Sequence, residues 1–331
     1  MRLPAALLDA LQRETARIER RKLAHATAQL TESYKAAGFS APVIATEAQR
    51  AAYLAVRLPA TYAAARRVLA ELRQRAPQAS QDPQVKIGSM LDLGAGPATA
   101  LFAAVEEFPQ LQKATLLESD PAWIALGKRM AAESGLPAVS EVQWIQADLR
   151  SGLSCEPHDL VMISYALGEL PQATAEAVLR KAWGCTRKFL AIVEPGTRRG
   201  FSTINAARSS LIAATAAIVA PCPHLDACPM AAAGDWCHFS QRVERTSQHR
   251  QLKGGALGYE DEKFSYLIAG KAEVLPTAGA RIVRHPGKHS GHIQLVLCTP
   301  QGQIETRTVT RSAKDTYKLA RRAEWGELWA D

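Results

Sequence analysis

The sequence has no apolar run of membrane-spanning length and no secretory signal. The longest apolar run, residues 211–220, covers about ten positions, whereas a spanning helix needs about 20. The first residues lack both a continuous apolar stretch and a small-residue cleavage site. We therefore expect no membrane partner and no disulfide framework, and Cys155 and Cys185 are interpreted as ordinary core residues.

The basic residues are concentrated near the two ends of the chain. Residues 1–75 carry 13 Lys and Arg against 6 Asp and Glu, and residues 281–322 carry 9 against 2. Residues 76–280 carry 18 against 21, although the net charge of the whole chain is +8. Basic flanks around a near-neutral centre favour a polyanionic partner such as RNA, while a solvated basic surface is the simpler alternative.

Strand-like and helix-like segments alternate after a helical start. Residues 1–80 are rich in Ala, Leu, Arg and Glu at helical spacing, and residues 76–85 have the composition of a linker. Short apolar strands are predicted at 89–93, 113–117, 142–145, 159–164 and 188–193, with helices between them and a further helix at 201–220. This alternation predicts a parallel α/β sheet with right-handed crossovers, a Rossmann-like domain over residues 86–220.

A glycine-rich turn follows the first predicted strand. The segment Asp92-Leu-Gly94-Ala95-Gly96-Pro97 leads into a helix, and glycines there let the backbone approach a ligand closely. A dinucleotide fingerprint would have a third glycine at position 99, where this chain has Thr99. The turn therefore favours S-adenosylmethionine over NAD.

Acidic residues end the first three predicted strands. Asp92 suits the cationic amino end of a methionine moiety, Glu118 suits ribose hydroxyls, and Asp148 suits an adenine amino group. Ser119 adjoins Glu118 in this predicted cofactor site. Ser164 and Tyr165 end the fourth strand, which faces the methyl acceptor in methyltransferases; Tyr165 is either a base-stacking residue or a buried tyrosine. No general base is identified.

Three cysteines lie close together in residues 221–262. The spacing is Cys222-x5-Cys228-x8-Cys237, and Cys298 follows on a predicted strand. Three local thiolates and one remote thiolate can hold an iron–sulfur cluster. Structural zinc, with His224 or His238 as a replacement ligand, is the alternative, and incidental cysteines are the third.

Several stretches together resemble one protein family. They are residues 92–97, Val193-Glu-Pro-Gly-Thr197, the cysteine segments, residues 263–267, Gly291-His292, Leu297-Cys298-Thr-Pro300 and Trp325-Gly-Glu-Leu-Trp329. They resemble the methyltransferase-like family of small-ribosomal-subunit proteins, whose mitochondrial members act in small-subunit assembly. The resemblance covers roughly residues 40–330.

The resemblance implies a class I, Rossmann-like S-adenosylmethionine-dependent methyltransferase fold with a helical N-terminal extension over residues 1–80. It implies a four-iron four-sulfur cluster on Cys222, Cys228, Cys237 and Cys298, in an insertion over residues 221–262. Residues 263–331 are then expected to add strands that complete the sheet, followed by a basic tail.

The resemblance also implies ribosomal RNA of the small subunit as a partner. The expected RNA-binding residues are basic side chains of the C-terminal region: Arg284, Lys288, Arg307, Arg311, Lys318 and Arg321. We expect a monomer, located in the bacterial cytoplasm, or in the mitochondrial matrix if the chain is eukaryotic.

Three functions remain open at this stage. The chain is an RNA methyltransferase, a non-catalytic ribosome-assembly factor that retains a cofactor pocket, or a small-molecule methyltransferase with a structural zinc loop.

Overall fold

The structure is a computed structural model, and it describes residues 1–36, 44–80, 85–134, 141–152, 154–253, 257–271 and 279–330. The first part of the chain is helical. Its helices are α1 (Ala5–Ala16), α2 (Arg20–Ala36), α3 (Glu47–Val56) and α4 (Leu58–Ser80). A capping box starts α3, in which Gln49 N donates to Thr46 Oγ1 and Thr46 N donates to Gln49 Oε1.

The central sheet contains eight strands among the described residues. They are β1 (Ser89–Leu93), β2 (Lys113–Glu118), β3 (Glu141–Gln146), β4 (His158–Ser164), β5 (Thr186–Pro195), β6 (Ala217–Ala220), β7 (Phe239–Glu244) and β8 (Tyr259–Gly270). The order is β3-β2-β1-β4-β5-β8-β6, and β7 also pairs with β8. Strands β1 to β5 run parallel, and β8 is antiparallel to β5, β6 and β7.

Helices follow the parallel strands, as the sequence predicted. They are α5 (Thr99–Glu107), α6 (Pro121–Glu133), α7 (Gln172–Gly184) and α8 (Arg198–Ala213). The strand order reverses between β1 and β4. In open α/β sheets such a reversal opens a crevice at the carboxyl ends of the strands, where ligands bind.

The helix predicted over residues 201–220 is wrong in its last third. Helix α8 ends at Ala213, and β6 follows at Ala217–Ala220. Thr215 has a φ of 59°, a left-handed value that cannot be part of a right-handed helix, and the chain reverses there. The β-branched Ile218 and Val219 then pack in the sheet, so one apolar run serves two elements.

Residues 221–262 hold more regular structure than their sequence indicated. They contain α9 (Pro229–Ala232), strand β7, α10 (Ser247–Lys253) and the first residues of β8. Helix α4 also extends into the predicted linker, to Ser80. Linker residues 81–84 lie outside the described residues.

The C-terminal strands form a separate sheet instead of completing the central one, which corrects the prediction for residues 263–331. Only β8 joins the central sheet; β9 (Ala280–Ile282), β10 (Gly287–Lys288), β11 (His292–Cys298), β12 (Ile304–Thr310) and β13 (Leu328–Trp329) form the other. The hairpin of β11 and β12 pairs internally, and helix α11 (Lys314–Arg322) packs beside it. Ile293, Leu295 and Val309 join Ala320 of α11 in a core of their own, so this sheet has an apolar face already covered.

A buried ion pair holds the C-terminal sheet against the rest of the molecule. Arg281 of β9 is 2% exposed and donates to Glu71 Oε1 of α4 at 2.7 Å. The same guanidinium donates to the carbonyl oxygens of Pro221 and Gly326 at 2.9 and 2.6 Å. Tyr266 of β8 donates to the other oxygen of Glu71 at 2.7 Å. Burial opposes the charge on Glu71, but Arg281 and other donors outweigh it and lower the pKa of that carboxyl.

Cys155 and Cys185 form a disulfide in the structure, so their interpretation as ordinary core residues is corrected. The bond links the segment before β4 to the residue after α7, 30 positions along the chain. Two thiol positions that look incidental in the sequence become neighbours because β4 and β5 are adjacent and parallel. Within the described residues, no helix combines the length and the apolar character that a membrane span requires.

The Arg281–Glu71 pair gives a stability prediction. Arg281→Met should lower the free energy of unfolding by about 3 kcal/mol, because it removes one of the two arginines paired with buried Glu71, the other being Arg75 at 2.8 Å, and the donor to the Pro221 and Gly326 carbonyls. Arg2→Met, which breaks the exposed Arg2–Glu244 pair, is the matched control and should change it by at most about 1 kcal/mol. Urea unfolding followed by circular dichroism measures both, and equal losses in the two variants would contradict the assignment.

Candidate functional site

A cavity of about 830 Å³ opens at the carboxyl ends of β1, β2, β4 and β5. It lies where the strand order reverses, which is the expected position for a ligand in this architecture. All ten residues predicted to bind the cofactor line it: Asp92, Gly94, Ala95, Gly96, Pro97, Glu118, Ser119, Asp148, Ser164 and Tyr165. The structure thus brings these positions together around one space.

The glycine turn after β1 is shaped by two left-handed residues. Gly94 and Gly96 have φ values of 77° and 52°. A Cβ added at Gly94 would lie 2.7 Å from the Cβ of Ala166, so packing against the β4 end requires glycine there. A Cβ added at Gly96 would meet nothing within 4 Å, and Gly96 borders the cavity. A side chain at position 96 would therefore begin in the open space at the edge of the cavity.

The carboxylate of Glu118 points toward the turn, as the sequence argument required. Its Oε2 accepts from Gly96 N at 2.8 Å, and its Oε1 accepts from Asp120 N at 2.9 Å. Oε1 also accepts from Ser119 Oγ at 3.3 Å, so Oε2 is the oxygen that keeps a lone pair for a ligand hydroxyl.

Asp92 is a buried acid without a partner among the described residues. It is 1% exposed, and neither of its carboxylate oxygens has a hydrogen bond in that part of the chain. Burial raises its pKa to about 7, and the charge of Glu118 adds to the rise. Buried polar groups are nearly always satisfied, so an orphaned carboxyl at a cavity wall indicates a cationic or hydrogen-bond-donating ligand.

The other predicted residues are held by neighbouring side chains. Asp148 forms an ion pair with Arg150 at 2.7 Å on the cavity rim. Tyr165 has a φ of 57°, and its hydroxyl donates to Glu262 Oε1 of β8 at 3.1 Å. Arg57, at the junction of α3 and α4, donates to the same Glu262. Bulky residues rarely adopt this backbone conformation. Here the conformation and the hydrogen bond to Glu262 together fix the Tyr165 ring in the cavity wall.

Two acids that the sequence analysis missed also line the cavity. Glu194 of β5 is 2% exposed and accepts from Gly168 N at 3.0 Å. Burial raises the pKa of Glu194 to about 7. Glu169 is more exposed to solvent, and partial desolvation at the cavity and the charge of Glu118 raise its pKa to about 7. Glu194 directly follows the predicted fifth strand, so the strand-end rule applied to Glu118 would have found it. Glu169 follows an irregular turn, and no sequence pattern marks it.

The first helices contribute to the cavity as well. Ile44, Tyr53, Arg57 and Thr61 form part of its lining, beside Trp123 of α6. The ring centres of Tyr53 and Trp123 are 5.2 Å apart in an edge-to-face arrangement. Helical periodicity in residues 1–80 gave no sign of this contribution, because it depends on where α3 and α4 pack.

The four predicted metal-ligating cysteines line a second, smaller cavity. Cys222, Cys228, Cys237 and Cys298 are free thiols around a space of about 40 Å³. Arg208 and Arg281 share that lining, and Cys298 Sγ lies 3.4 Å from His224 Nε2. Burial raises the pKa of Cys237, and the neighbouring thiols of Cys222 and Cys228 raise it further.

The four thiols are also candidates for a site that holds a single metal ion. Among the described residues, no group of three or more His, Cys, Asp or Glu side chains is arranged to hold a metal ion. Zinc bound tetrahedrally at about 2.3 Å from each sulfur would need sulfur atoms roughly 3.8 Å apart. The side chains of the described residues therefore form neither the predicted cluster site nor the structural-zinc alternative, and both stay predictions.

The predicted RNA-binding side chains lie on and around the C-terminal sheet. Lys288, Arg311 and Arg321 are exposed, as is Lys318, which pairs with Asp315 at 2.8 Å. Arg284 and Arg307 are half-buried and paired, with Asp235 and Glu305 respectively. Their role in RNA binding stays a prediction, and the paired state of Arg284 makes it the weakest of the six.

Comparison with known proteins gives one family match. The family described as "Mitochondrial small ribosomal subunit Rsm22" matches residues 47–330. The human mitochondrial ribosome assembly protein METTL17 is 29% identical over 86% of this chain and 63% of its own length. An Rsm22-cox11 tandem protein of Schizosaccharomyces pombe is 25% identical over 86% of this chain and 43% of its own. The chain thus spans less than two thirds of either relative.

Two solved structures of methyltransferases match the fold with low scores. Magnesium protoporphyrin IX methyltransferase of Synechocystis has a TM-score of 0.41 and 11% identity, covering 73% of this chain and 94% of that one. An O-methyltransferase family protein of Burkholderia thailandensis has a TM-score of 0.42 and 15% identity, covering 69% and 59%. The family match spans most of the sequence, including the glycine turn and the four cysteines. The chain belongs to the Rsm22 family of mitochondrial small-ribosomal-subunit proteins.

Proposed function

We propose that this chain is a methyltransferase-like ribosome-assembly factor that binds S-adenosylmethionine and small-subunit ribosomal RNA. The observation that carries the cofactor assignment is the unpartnered carboxyl of Asp92, buried beside an open glycine turn. Family membership and the names of the relatives support the ribosomal role. The class I methyltransferase fold is part of the same proposal.

The cavity residues fit the parts of the proposed cofactor. Asp92 would bind the methionine amino group, Glu118 the ribose hydroxyls, and Asp148 the adenine amino group. Glu118 Oε2 accepts a hydrogen bond from Gly96 N and keeps one lone pair that can accept from a ribose hydroxyl. When bound, S-adenosylmethionine supplies an electrophilic methyl group on a sulfonium centre.

Methyl transfer to RNA is a second candidate function within the same proposal. Glu169 and Glu194 favour it, because each has a pKa near 7 and lines the cavity toward the β4 and β5 ends. A carboxyl with that pKa can accept a proton from an acceptor group at neutral pH. A non-catalytic factor would retain the same cavity for binding alone.

We propose that the four cysteines hold an iron–sulfur cluster of the four-iron four-sulfur type. Four free thiols that line one cavity support this proposal, because three local thiolates and one remote thiolate can hold such a cluster. The guanidinium groups of Arg208 and Arg281 would offset the negative charge of the thiolate-bound cluster.

The proposed cellular location follows from the names of the relatives. The relatives named above are mitochondrial proteins. We propose the mitochondrial matrix for a eukaryotic chain and retain the cytoplasm for a bacterial one, with a monomer in both cases.

Cofactor binding can be tested at Gly96. Gly96→Leu should remove detectable S-adenosylmethionine binding in isothermal titration, because the new side chain starts in open space beside the cavity. Gly291→Leu is the control, since Gly291 also has a positive φ and does not border the cavity. Unchanged affinity in a folded Gly96→Leu protein would place the cofactor elsewhere.

Cluster binding can be tested by mutation of Cys228. Protein purified without oxygen should absorb broadly in the visible and contain about four irons per chain. Cys228→Ser should lose most of that iron, whereas Cys155→Ser, which removes a cysteine outside the cavity, should keep it. Colourless wild-type protein with stoichiometric zinc would reject the cluster.

RNA binding can be tested on the exposed arginines. Arg311→Glu with Arg321→Glu should weaken binding to small-subunit ribosomal RNA and make the salt dependence less steep, because phosphate contacts release counterions. Arg180→Glu reverses an exposed charge on α7 and serves as the control. If the double variant and the control bind RNA with the affinity of the wild type, α11 and its neighbours lie outside the interface.

A further inference from the structure

Helix α8 separates the two cavities and forms part of the wall of each. Gly200 and Thr203 line the large cavity, while Phe201, Ile204 and Arg208 line the cavity of the four thiols. The two cavities are therefore lined by different faces of one helix. A change that moves this helix or its first turn reaches both of them.

The first turn of α8 is also attached to the cysteine-bearing segment. The guanidinium carbon of Arg198 lies 4.4 Å from the ring centre of Trp236, and its Nη1 donates to Gly234 O at 2.7 Å. Trp236 Nε1 donates to Gly196 O at 3.1 Å, two residues before Arg198. Arg198 is exposed and borders the large cavity, so these contacts decide where its side chain lies.

Trp236 is in turn positioned by the residues around Cys237. Its ring stacks on His238 at 5.3 Å, and His238 packs edge-to-face on Trp325 at 4.8 Å. The carbonyl of Cys237 accepts from Ser265 Oγ at 2.8 Å. Residues 231–234 before it are exposed and include the end of the four-residue helix α9, so little packed core fixes this stretch. Ligation of Cys228 and Cys237 would add the missing constraint.

We infer that Arg198 and Trp236 are positioning residues that make occupancy of the thiol cavity raise the affinity of the large cavity for S-adenosylmethionine. The inference rests on the proposed function and adds a thermodynamic link between its two sites. With the thiols ligated, Trp236 holds Arg198 and the first turn of α8 in the geometry of the cavity rim. Without ligation, Arg198 and the first turn of α8 must become ordered when the cofactor binds, and the free energy of this ordering lowers the affinity. Linkage requires the reverse effect as well, so the cofactor stabilises the cysteine segment.

The first test compares cofactor affinity with and without iron. Isothermal titration of S-adenosylmethionine should give at least about fivefold tighter binding to anaerobically purified protein than to the same protein stripped of iron by a chelator. Trp236→Ala and Arg198→Ala should bring this ratio to one, whatever their absolute affinities. Trp236→Phe keeps the stack and should retain most of the ratio. Trp183→Ala removes a similar contact, with Lys271, away from both cavities and should leave the ratio unchanged.

The second test reads the same link from the other side and needs no iron. In iron-free protein, saturating S-adenosylmethionine should slow the alkylation of Cys228 and Cys237 by N-ethylmaleimide severalfold, and Trp236→Ala should remove that protection. Equal cofactor affinities in the two wild-type forms, or unchanged alkylation rates where iron is absent, would overturn the inference. Absence of any cofactor binding to the wild type would instead refute the proposed function, and the link with it.

Discussion

The buried pair of Arg281 and Glu71 is the contact on which the arrangement of the thiol cavity depends. It joins the second sheet to α4, and the same guanidinium holds the carbonyl of Pro221, directly before Cys222. Arg281 also lines the thiol cavity. Burial raises the pKa of the Cys222 thiol there, and the charge of Arg281 acts in the opposite direction. One side chain therefore fixes three separate stretches of chain around the cysteines. Because a buried charge without its partner is strongly unfavourable, these stretches are held together or not at all.

The large cavity combines a generic scaffold with a particular set of acids. Parallel strands deliver Asp92, Glu118 and Glu194 to one edge of the sheet, where the strand order reverses. Glu118 satisfies the glycine turn, Glu194 satisfies Gly168, and Asp92 satisfies no described group. This difference separates acids that maintain the wall from the one whose partner must come from a ligand. Helix α8 then places the cysteine cavity immediately behind that wall.

Local patterns in the sequence predicted most of the central fold and ten of the residues that line the large cavity. The strands β1 to β5 and the glycine turn are encoded by short apolar runs, and strand-end acids follow from the parallel order. The prediction failed where one pattern fits two structures, as in the run that forms both the end of α8 and β6. It also failed for contacts set by packing alone, such as the Cys155–Cys185 bond, Glu169, and the contribution of Tyr53 to the cavity. The second sheet was missed because β periodicity does not say which strands will pair.

The contact of Arg57 and Tyr165 with Glu262 has a consequence for how the protein is made. Arg57 and Glu262 are 205 residues apart, and Tyr165 precedes Glu262 by 97. A ribosome must therefore synthesise about four fifths of the chain before this side of the cavity can close, since α3, β4 and β8 meet there. Until then, the nascent protein presents the acidic strand ends to water with their enclosing wall unfinished. A truncated product that ends before β8 would contain the glycine turn without a closed cavity.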